Sequence, residues 1–193
     1  MLNNIIQQFN TLYNGLKDDV NKKLYDLLRQ IIQTHDNSIN SLVSLEASDT
    51  QLLKLFAHVY KSTLTTVATG TGPTVSFDKI KYNYGNMFDA TKADRITIPY
   101  KGVYQVTVGV LWDSNATGNR SCQLTKNGAG YKDQIIPACN GIQTGFCLSV
   151  TDLFQLGDYV SLATYQSSGG NLTITAVGDR SLYMTVQGLY LQK

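Results

Sequence analysis

The histidines, cysteines and carboxylates are the residues of this chain whose types could support catalysis. Both histidines, His35 and His58, and the only glutamate, Glu46, fall in a first third that has helical spacing. The rest of the chain has no histidine, so a histidine-dependent serine or cysteine triad is not expected there. The eight aspartates after residue 76 stand mostly beside turn signals, where aspartate caps and closes turns. We therefore expect no catalytic residues and predict that the chain is not an enzyme.

The spacing of candidate metal ligands is equally unfavourable. The three cysteines form no CxxC pair and have no neighbouring histidine, which a zinc site would require. The loop aspartates that could hold calcium lack the tight acidic spacing of a calcium loop. We expect no metal and no cofactor. The cysteines could form one disulfide and leave one free thiol, but we favour three reduced thiols because nothing indicates an oxidising compartment. The residues concerned are Cys122, Cys139, Cys147, Asp113, Asp152 and Asp179.

Composition indicates a β-rich chain of low charge. Of the 193 residues 42% are apolar and 16% are charged, against about 25% charged in a typical soluble domain. Tyr and Gly are frequent, with 12 and 16 residues, and Pro is rare, with 3, which favours strands. A net charge of +2 predicts no nucleic-acid partner. No apolar run approaches the roughly 20 residues of a membrane span, and the first residues do not resemble a secretory signal.

Residues 1–66 have the spacing of a helical coiled coil, with no proline and a single glycine. Apolar residues recur at intervals of three and four, which is the seam of a heptad repeat. Such a seam needs a partner, because a lone helix would leave the stripe in water. We predict that the seam forms a trimer interface. Its residues are Leu2, Ile5, Phe9, Leu12, Leu16, Leu24, Leu27, Ile31, Leu52, Phe56 and Val59.

A polar stretch at residues 34–40 interrupts this seam and leaves three arrangements open. The segment could be a coiled coil between identical chains, a helical hairpin folded at residues 34–40, or a single amphipathic helix on a separate domain. Isoleucines near the start favour more than two strands in a coiled coil. Within the interruption, Asn37 or Ser38 could cap a new helix, and His35 could belong to a polar layer that fixes register.

The period of the pattern changes from helical to alternating after a Gly- and Pro-rich segment. Gly70, Gly72 and Pro73 break both helix and strand, so residues 67–76 are predicted to be a linker. From Val75 onward, apolar and polar residues alternate in short runs that turn signals separate. Many short strands without a helical window predict an all-β jelly-roll sandwich over residues 77–193.

Several short motifs in this second part resemble the C1q/TNF-like globular head in type and order. The most specific is Phe-Asp, followed by Arg-Ile-Thr-Ile-Pro and then Gly-Val-Tyr. A Lys-Asn-Gly hairpin, a Leu-Gly-Asp-Tyr-Val strand start and a closing Gly-Leu-Tyr-Leu strand come next. A heptad rod stands where that family has a collagen repeat, and Thr-Val-Gln precedes the closing glycine in place of Ser-x-Phe. The motifs occupy residues 88–89, 95–99, 102–104, 126–128, 156–160 and 188–191.

The resemblance implies a homotrimer of C1q/TNF-like sandwiches on a helical stalk, with Tyr183 and Tyr190 at an aromatic three-fold axis. A trimer of this rod-and-knob form also resembles the head or tail fibres of bacteriophage virions. That likeness implies a virion location and an N-terminus docked on capsid or tail proteins. It further implies a knob that adheres to a glycan of the host cell surface.

A saccharide contact is expected on loops near residues 112–118, 128–132 and 167–170, because Trp, Tyr and Asn suit stacking and hydrogen bonding to sugars. Two other functions remain open: a cellular C1q-like, lectin-like binding module, and a capsid decoration protein without a ligand. The predicted ligand-binding residues are Trp112, Asn115, Asn119, Tyr131 and Tyr165.

Overall fold

The computed structural model describes residues 2–14, 19–52 and 55–191. The chain divides into two compact units, Met1–Thr50 and Gln51–Lys193, which we call the helical unit and the head. Two helices account for the first of them, α1 (Leu2–Asn14) and α2 (Asp19–Leu52). The head is built from strands and two short 3-10 helices, Ala90–Lys92 and Gly178–Arg180.

The two helices pack against each other through aromatic and aliphatic side chains. Tyr13 of α1 stacks on Tyr25 of α2 with ring centroids 4.4 Å apart, and the Tyr25 hydroxyl donates a hydrogen bond to the side chain of Asn10. A small apolar gap between the helices is lined by Ile6, Phe9, Leu28 and Ile32, among others. The helical segment is therefore a pair of adjacent helices within one chain.

Of the arrangements left open, the hairpin folded at residues 34–40 does not hold, because α2 runs through this stretch without a break. Ser38 does not cap a helix there. Its hydroxyl donates to the Thr34 carbonyl at 2.9 Å, and the Thr34 hydroxyl donates to the Gln30 carbonyl at 2.8 Å. These bonds to the preceding turn satisfy the polar side chains inside the helix. The polar residues at 34–40 therefore do not end α2.

The helical segment also ends before its predicted limit at residue 66. Residues Phe56–Tyr60 form strand β1 and residues Thr65–Val67 form β2, both in the head. Val59 is fully buried in the sandwich and pairs with Met184, so it does not belong to a helical seam. His58 consequently lies in the head, contrary to prediction. The intervals of four and three from Leu52 to Phe56 to Val59 fit a helix, but burial between two sheets selects the strand.

Residues 67–76, the predicted linker, are likewise part of the head. Val67 and Val75 are buried. Thr74 bridges Ala163, and the Val75 amide donates to the Leu162 carbonyl at 2.8 Å. Gly70 and Pro73 interrupt regular pairing but do not separate the segment from the sandwich.

Two antiparallel sheets form the head, which confirms the predicted all-β sandwich. The larger has seven strands in the order β2-β10-β5-β11-β1-β3, with β8 paired to β5. The smaller has the order β4-β9-β6-β7. The further strands are β3 (Lys79–Tyr84), β4 (Ile96–Thr97), β5 (Gly102–Trp112), β6 (Asn119–Lys126), β7 (Ala129–Pro137), β8 (Thr144–Phe154), β9 (Tyr159–Gln166), β10 (Leu172–Ile174) and β11 (Leu182–Leu191).

The core lies between the sheets and follows the alternation of the strands. On β5, Tyr104, Val106, Val108, Val110 and Trp112 are buried, while the residues between them are mostly more exposed. The Tyr104 hydroxyl, fully buried, donates to the Tyr100 carbonyl at 2.8 Å. Each large apolar side chain buried in this way contributes about 1.5–3 kcal/mol. One face of each sheet is thus committed to the core, and the opposite faces are available for function.

Candidate functional site

The outer face of the larger sheet carries a concentration of aromatic side chains. On β1, Phe56, His58 and Tyr60 alternate with the buried Ala57 and Val59 and point away from the core. Register places Tyr84 opposite Phe56, Tyr82 opposite His58 and Tyr183 opposite Tyr60. We call this set the aromatic face. It consists of Phe56, His58, Tyr60, Tyr82, Tyr84 and Tyr183.

The rings of the aromatic face form two contacting groups on neighbouring strands, one of Phe56, Tyr82 and Tyr84 and one of His58, Tyr60 and Tyr183. Centroids of Phe56 and Tyr82 are 5.5 Å apart, and those of Tyr82 and Tyr84 are 6.0 Å apart. The His58 imidazole stacks on Tyr183 at 5.6 Å with an interplanar angle of 15°. Tyr82 is 40% exposed and Tyr84 is 54% exposed. Contiguous apolar surface of this kind marks an interaction site in a soluble protein.

Gly109 determines how Tyr183 lies on this face. A Cβ at Gly109 would come within 2.2 Å of the Tyr183 ring, so the missing side chain lets the ring lie flat over β5. The Tyr183 hydroxyl is 3.6 Å from the Cys147 Sγ on β8. Burial, with the Cys147 contact, raises the pKa of Tyr183 to about 12. The phenol is therefore neutral at physiological pH.

The imidazole of His58 is also held in its neutral form. Its Nε2 is buried and has no hydrogen-bond partner among the described residues. Burial lowers the pKa of His58 below its usual 6.5, the nearby Lys81 ammonium lowers it further, and Asp179 acts in the opposite direction. Lys81 and Asp179 form an ion pair with each other. Thus one charged pair borders a face that is otherwise neutral.

The helical unit has an exposed apolar stripe of its own. Of the predicted seam on α2, Leu24 and Leu27 are each 55% exposed and Ile31 is 45% exposed. The contacts between α1 and α2 use Leu28 and Ile32 instead, one position further along. On α1, Phe9 and Leu2 are half-buried, while Ile5 and Leu12 are exposed. Leu16 and the side chain of Leu52 lie outside the described residues.

Trp112, predicted to bind a ligand, is completely buried, so that prediction is wrong. Its position on β5 continues the inward alternation of Val108 and Val110, and the indole fills the core. The loop that follows does not offer Asn115 freely either. The Asn115 side chain accepts hydrogen bonds from the Thr117 amide and from the buried Arg120.

The backbone carbonyls of Asn115 and Asn119 both accept hydrogen bonds from Arg120. The guanidinium of Arg120 donates to the carbonyl oxygens of Asn115, Thr117 and Asn119 at 2.9–3.1 Å. Burial lowers the pKa of Arg120 from its usual value. These carbonyls solvate a buried cation, so this loop has a structural role. The Asn119 side chain is exposed and remains a candidate for contact.

The remaining two predicted ligand residues lie on different strands. The Tyr131 hydroxyl on β7 donates to Asp152 on β8, and its ring contacts Phe154 at 6.2 Å. Tyr165 is on β9 and faces outward from the smaller sheet, 39% exposed. The five predicted ligand residues thus do not form one site. Tyr190 is 59% exposed, opposite Val103 on β5.

Within residues 2–14, 19–52 and 55–191, no group of three His, Cys, Asp or Glu side chains is placed to hold a metal ion. The three cysteines are free thiols, of which Cys122 is buried and the other two are exposed. Burial raises the pKa of Cys122 to about 12. No helix in the described part of the chain has both the length and the hydropathy to cross a membrane.

No protein-family model matches the sequence, and no curated protein matches it either. Solved structures do match the fold. Murine APRIL at pH 5.0 aligns with a TM-score of 0.56 at 11% identity, covering 69% of this chain and 98% of that one. Eiger TNF from S. frugiperda aligns with a TM-score of 0.56 at 11% identity, covering 72% and 94%.

The globular domain of zebrafish complement 1qA aligns with a TM-score of 0.53 at 10% identity over 72% of this chain and 100% of that one. The head has a C1q/TNF-like fold. This confirms the fold that the motifs at residues 88–104 and beyond predicted. At 10–11% identity the likeness establishes the fold alone.

Sequence reasoning missed the aromatic face except for Tyr183. The helical spacing predicts Phe56 in a seam, and the sequence patterns predict no role for Tyr60, Tyr82 and Tyr84. The available signal was the alternation of Phe56, His58 and Tyr60 with Ala57 and Val59. The same two-residue step joins Tyr82 and Tyr84, and on a strand it places residues on one face.

Proposed function

We propose that this chain is a homotrimeric bacteriophage fibre protein, on the head or tail of the virion, whose C1q/TNF-like head adheres to the host cell surface. The observation that carries the proposal is the aromatic face. In a single chain it leaves the rings of Tyr82 and Tyr84 about half in water. A second and third copy would cover it.

Self-association through this face is supported by its chemistry. His58 and Tyr183, two of the rings that would meet, are neutral at physiological pH. No charge on these rings would therefore have to be desolvated in the interface. Aromatic side chains are enriched in the buried cores of interfaces. The implied three-fold axis of C1q/TNF-like heads, with Tyr183 and Tyr190 near it, is compatible with this location.

The helical unit also supports association between copies of the chain. Leu24, Leu27 and Ile31 form a stripe that the α1–α2 packing leaves uncovered, and equivalent stripes of neighbouring copies would bury it. The apolar residues of α1, together with Asn3, Asn4, Gln7 and Gln8, would dock on capsid or tail proteins. Three linked heads would bind a cell surface with an avidity that exceeds single affinities by about 10²-fold or more.

The oligomeric state is the first test. Gel filtration with light scattering on the full chain at micromolar concentration is expected to give a trimer. Tyr82→Ser with Tyr84→Ser should shift the mass toward monomer, since both rings would be buried in the interface. Tyr100→Ser, at another exposed tyrosine, is the matched control and should remain trimeric. A monomeric wild-type protein would overturn the proposal.

The location of the protein is the second test. Mass spectrometry of purified virions is expected to detect the chain, whereas its presence only in cells would favour the cellular C1q-like, lectin-like module. Binding of the labelled trimer to host cells then separates an adhesin from a decoration protein. A virion protein that does not bind the host surface in this assay would be the ligand-free decoration protein.

A further inference from the structure

The outer face of the smaller sheet contains a groove of about 310 Å³. Its floor is made of three strands in register. One row runs Ala163–Gln123–Asp133 and the next runs Tyr165–Ser121–Ile135 across β9, β6 and β7. The short side chain of Ser121 stands between the longer Tyr165 and Ile135, and the short Ala163 begins the other row beside the Gly72 segment, so the surface is concave. We call this feature the outer groove.

The wall of the outer groove is the segment around Gly72. It is fixed to β9 because Thr74 bridges Ala163 and the Thr164 amide donates to the Pro73 carbonyl at 3.1 Å. The backbone at Gly72 runs so close that an added Cβ would lie 3.8 Å from the Thr164 carbonyl oxygen. The groove is therefore formed by ordered strands and a tethered segment.

The polar groups of the outer groove have no partners within the described chain. Seven of the eight head aspartates accept a hydrogen bond from a neighbouring residue. Among the described residues, Asp133 alone of the eight has neither a hydrogen bond nor an ion pair. The Gln123 amide and the hydroxyls of Ser121 and Tyr165 likewise have no hydrogen-bond partner in the described part of the chain. Four polar groups of complementary types, each without a hydrogen-bond partner in the described chain, thus line one concave surface.

The groove also offers apolar surface beside these polar groups. The Tyr165 ring is 39% exposed and the Ile135 side chain is 61% exposed, and they flank Ser121 from opposite sides. No lysine or arginine lines the groove, and Asp133 is its only charged residue. A single carboxylate without a counter-charge disfavours anionic ligands such as phosphate polymers. It suits hydroxyl groups, which donate to a carboxylate in charge-assisted hydrogen bonds.

We propose that the outer groove binds an uncharged saccharide unit. The C–H face of the sugar would lie on Tyr165 and Ile135, while its hydroxyls would bond to Asp133, Gln123 and Ser121. The volume is at the lower end of the range of about 300–1,000 Å³ for small-molecule sites, which fits one or two sugar rings. The inference rests on the proposed adhesive function and names its ligand class. Because the aromatic face lies on the other sheet, self-association there leaves the outer groove open.

The test uses the full chain and an array of neutral saccharides, with polyglycerol phosphate as the anionic arm. The array carries glucose, galactose, mannose, rhamnose, N-acetylglucosamine and N-acetylgalactosamine. We expect binding to at least one neutral sugar and none to the phosphate polymer. Asp133→Asn and Tyr165→Ala should each reduce the affinity, measured by calorimetry, by about 10-fold or more. Asp113→Asn and Tyr100→Ala, which change the same residue types outside the groove, should bind as the wild type does.

The outcomes separate this inference from the proposed function. If the groove variants keep wild-type sugar binding, or if only the phosphate polymer binds, the saccharide groove is overturned while a trimeric adhesin stands. A second outcome is that no saccharide binds, while light scattering shows a trimer and mass spectrometry finds the protein in virions. The saccharide groove is then overturned and the fibre protein remains. Light scattering and circular dichroism on each variant establish that a loss of binding does not come from misfolding.

Discussion

Gly102 lies at the start of β5 with the last strand directly against it. A Cβ at this position would be 2.2 Å from the carbonyl oxygen of Tyr190 and 3.1 Å from the Cα of Leu191. Backbone atoms of a paired strand cannot move aside as the end of a flexible side chain can. Gly102→Ala is therefore expected to lower the free energy of unfolding by about 1–3 kcal/mol. Urea unfolding followed by the fluorescence of the single, buried Trp112 measures it.

Gly170→Ala is the control for this measurement. No atom lies within 4 Å of a Cβ added at Gly170, so the unfolding free energy should stay within about 0.5 kcal/mol of the wild type. Equal stability of the Gly102 and Gly170 variants would show that β11 can move away from β5 at no cost.

Protonation of His58 lowers the free energy of unfolding as the pH falls. An unfolded chain protonates this imidazole as the pH falls through about 6.5. Burial and Lys81 lower the pKa of His58 in the folded state, so the folded state takes up that proton later. The contribution of His58 to the free energy of unfolding is then complete above about pH 6.5, and it decreases as the pH drops toward the folded pKa. His58→Phe should flatten this fall when urea midpoints are measured between pH 7.5 and 5.

His35 is unchanged in that comparison and contributes equally to both proteins. The charged groups beside His58 are Lys81 and Asp179, and neither titrates on its own in this range at its ordinary pKa. Parallel pH profiles for the wild type and His58→Phe would contradict the assignment.

At the scale of elements, strands with long two-residue alternation could be predicted from sequence, and the short N-terminal ones could not. On β5, five inward residues from Tyr104 to Trp112 repeat the alternation, which leaves no helical interpretation. On β1 only Ala57 and Val59 point inward between Phe56 and Tyr60. So short a run also fits helical spacing, and pairing with β11 decides it. That choice is made by tertiary contacts with residues more than 120 positions away, which local patterns do not contain.

The candidate sites were predictable to a smaller extent for the same reason. The family resemblance implies Tyr183 at an aromatic axis, and Tyr165 is a predicted ligand residue; both lie on outward faces. Trp112 is also a predicted ligand residue, yet it continues an inward row of β5. Asp133 gave no signal at all, because its lack of a partner becomes visible only once β6, β7 and β9 are in register.

The edge strands β7 and β8 of the two sheets are connected by a hydrogen bond from Tyr131 to Asp152. This bond is the largest cause of the lowered pKa of Asp152, and the hydrogen bond that the Leu153 amide donates to Asp152 is the second. Tyr131→Phe should therefore move the pKa of Asp152 up toward its usual 3.8, as a carboxyl-detected NMR titration would show. The depressed pKa contributes stability that is present above about pH 3.8 and lost as the pH falls below it. The variant should lose part of that acid-sensitive contribution.

The matched control is Asp113→Asn, at a carboxylate that accepts only a long bond of 3.5 Å from Gln143. It should leave the titration of Asp152 unchanged. An Asp152 pKa that is the same in the wild type and in Tyr131→Phe would show that the hydroxyl does not hold this carboxylate in solution.

At the scale of the whole molecule, two separate units each leave an apolar surface uncovered. In the helical unit the stripe is Leu24, Leu27 and Ile31, and in the head it is the aromatic face. A monomeric protein would expose both surfaces to water. Association of identical chains would cover both surfaces at once, whereas any other arrangement would need a separate partner for each.

If both surfaces stabilise the same trimer, weakening one should shift its dissociation without unfolding the other unit. Leu27→Ser with Ile31→Ser removes two side chains that are 45–55% exposed in the single chain. Burying the exposed half of each side chain in a trimer contributes about half of the 1.5–3 kcal/mol of full burial, about 1 kcal/mol each. The concentration at which the trimer dissociates should therefore rise at least about 10-fold in light scattering across a dilution series. The fluorescence of Trp112 should stay that of a folded head.

Gln33→Ser with Asn40→Ser, at exposed polar positions of α2, should dissociate as the wild type does. An unchanged dissociation of the Leu27 and Ile31 variant would mean that the head alone holds the trimer, and that this stripe of α2 faces another protein.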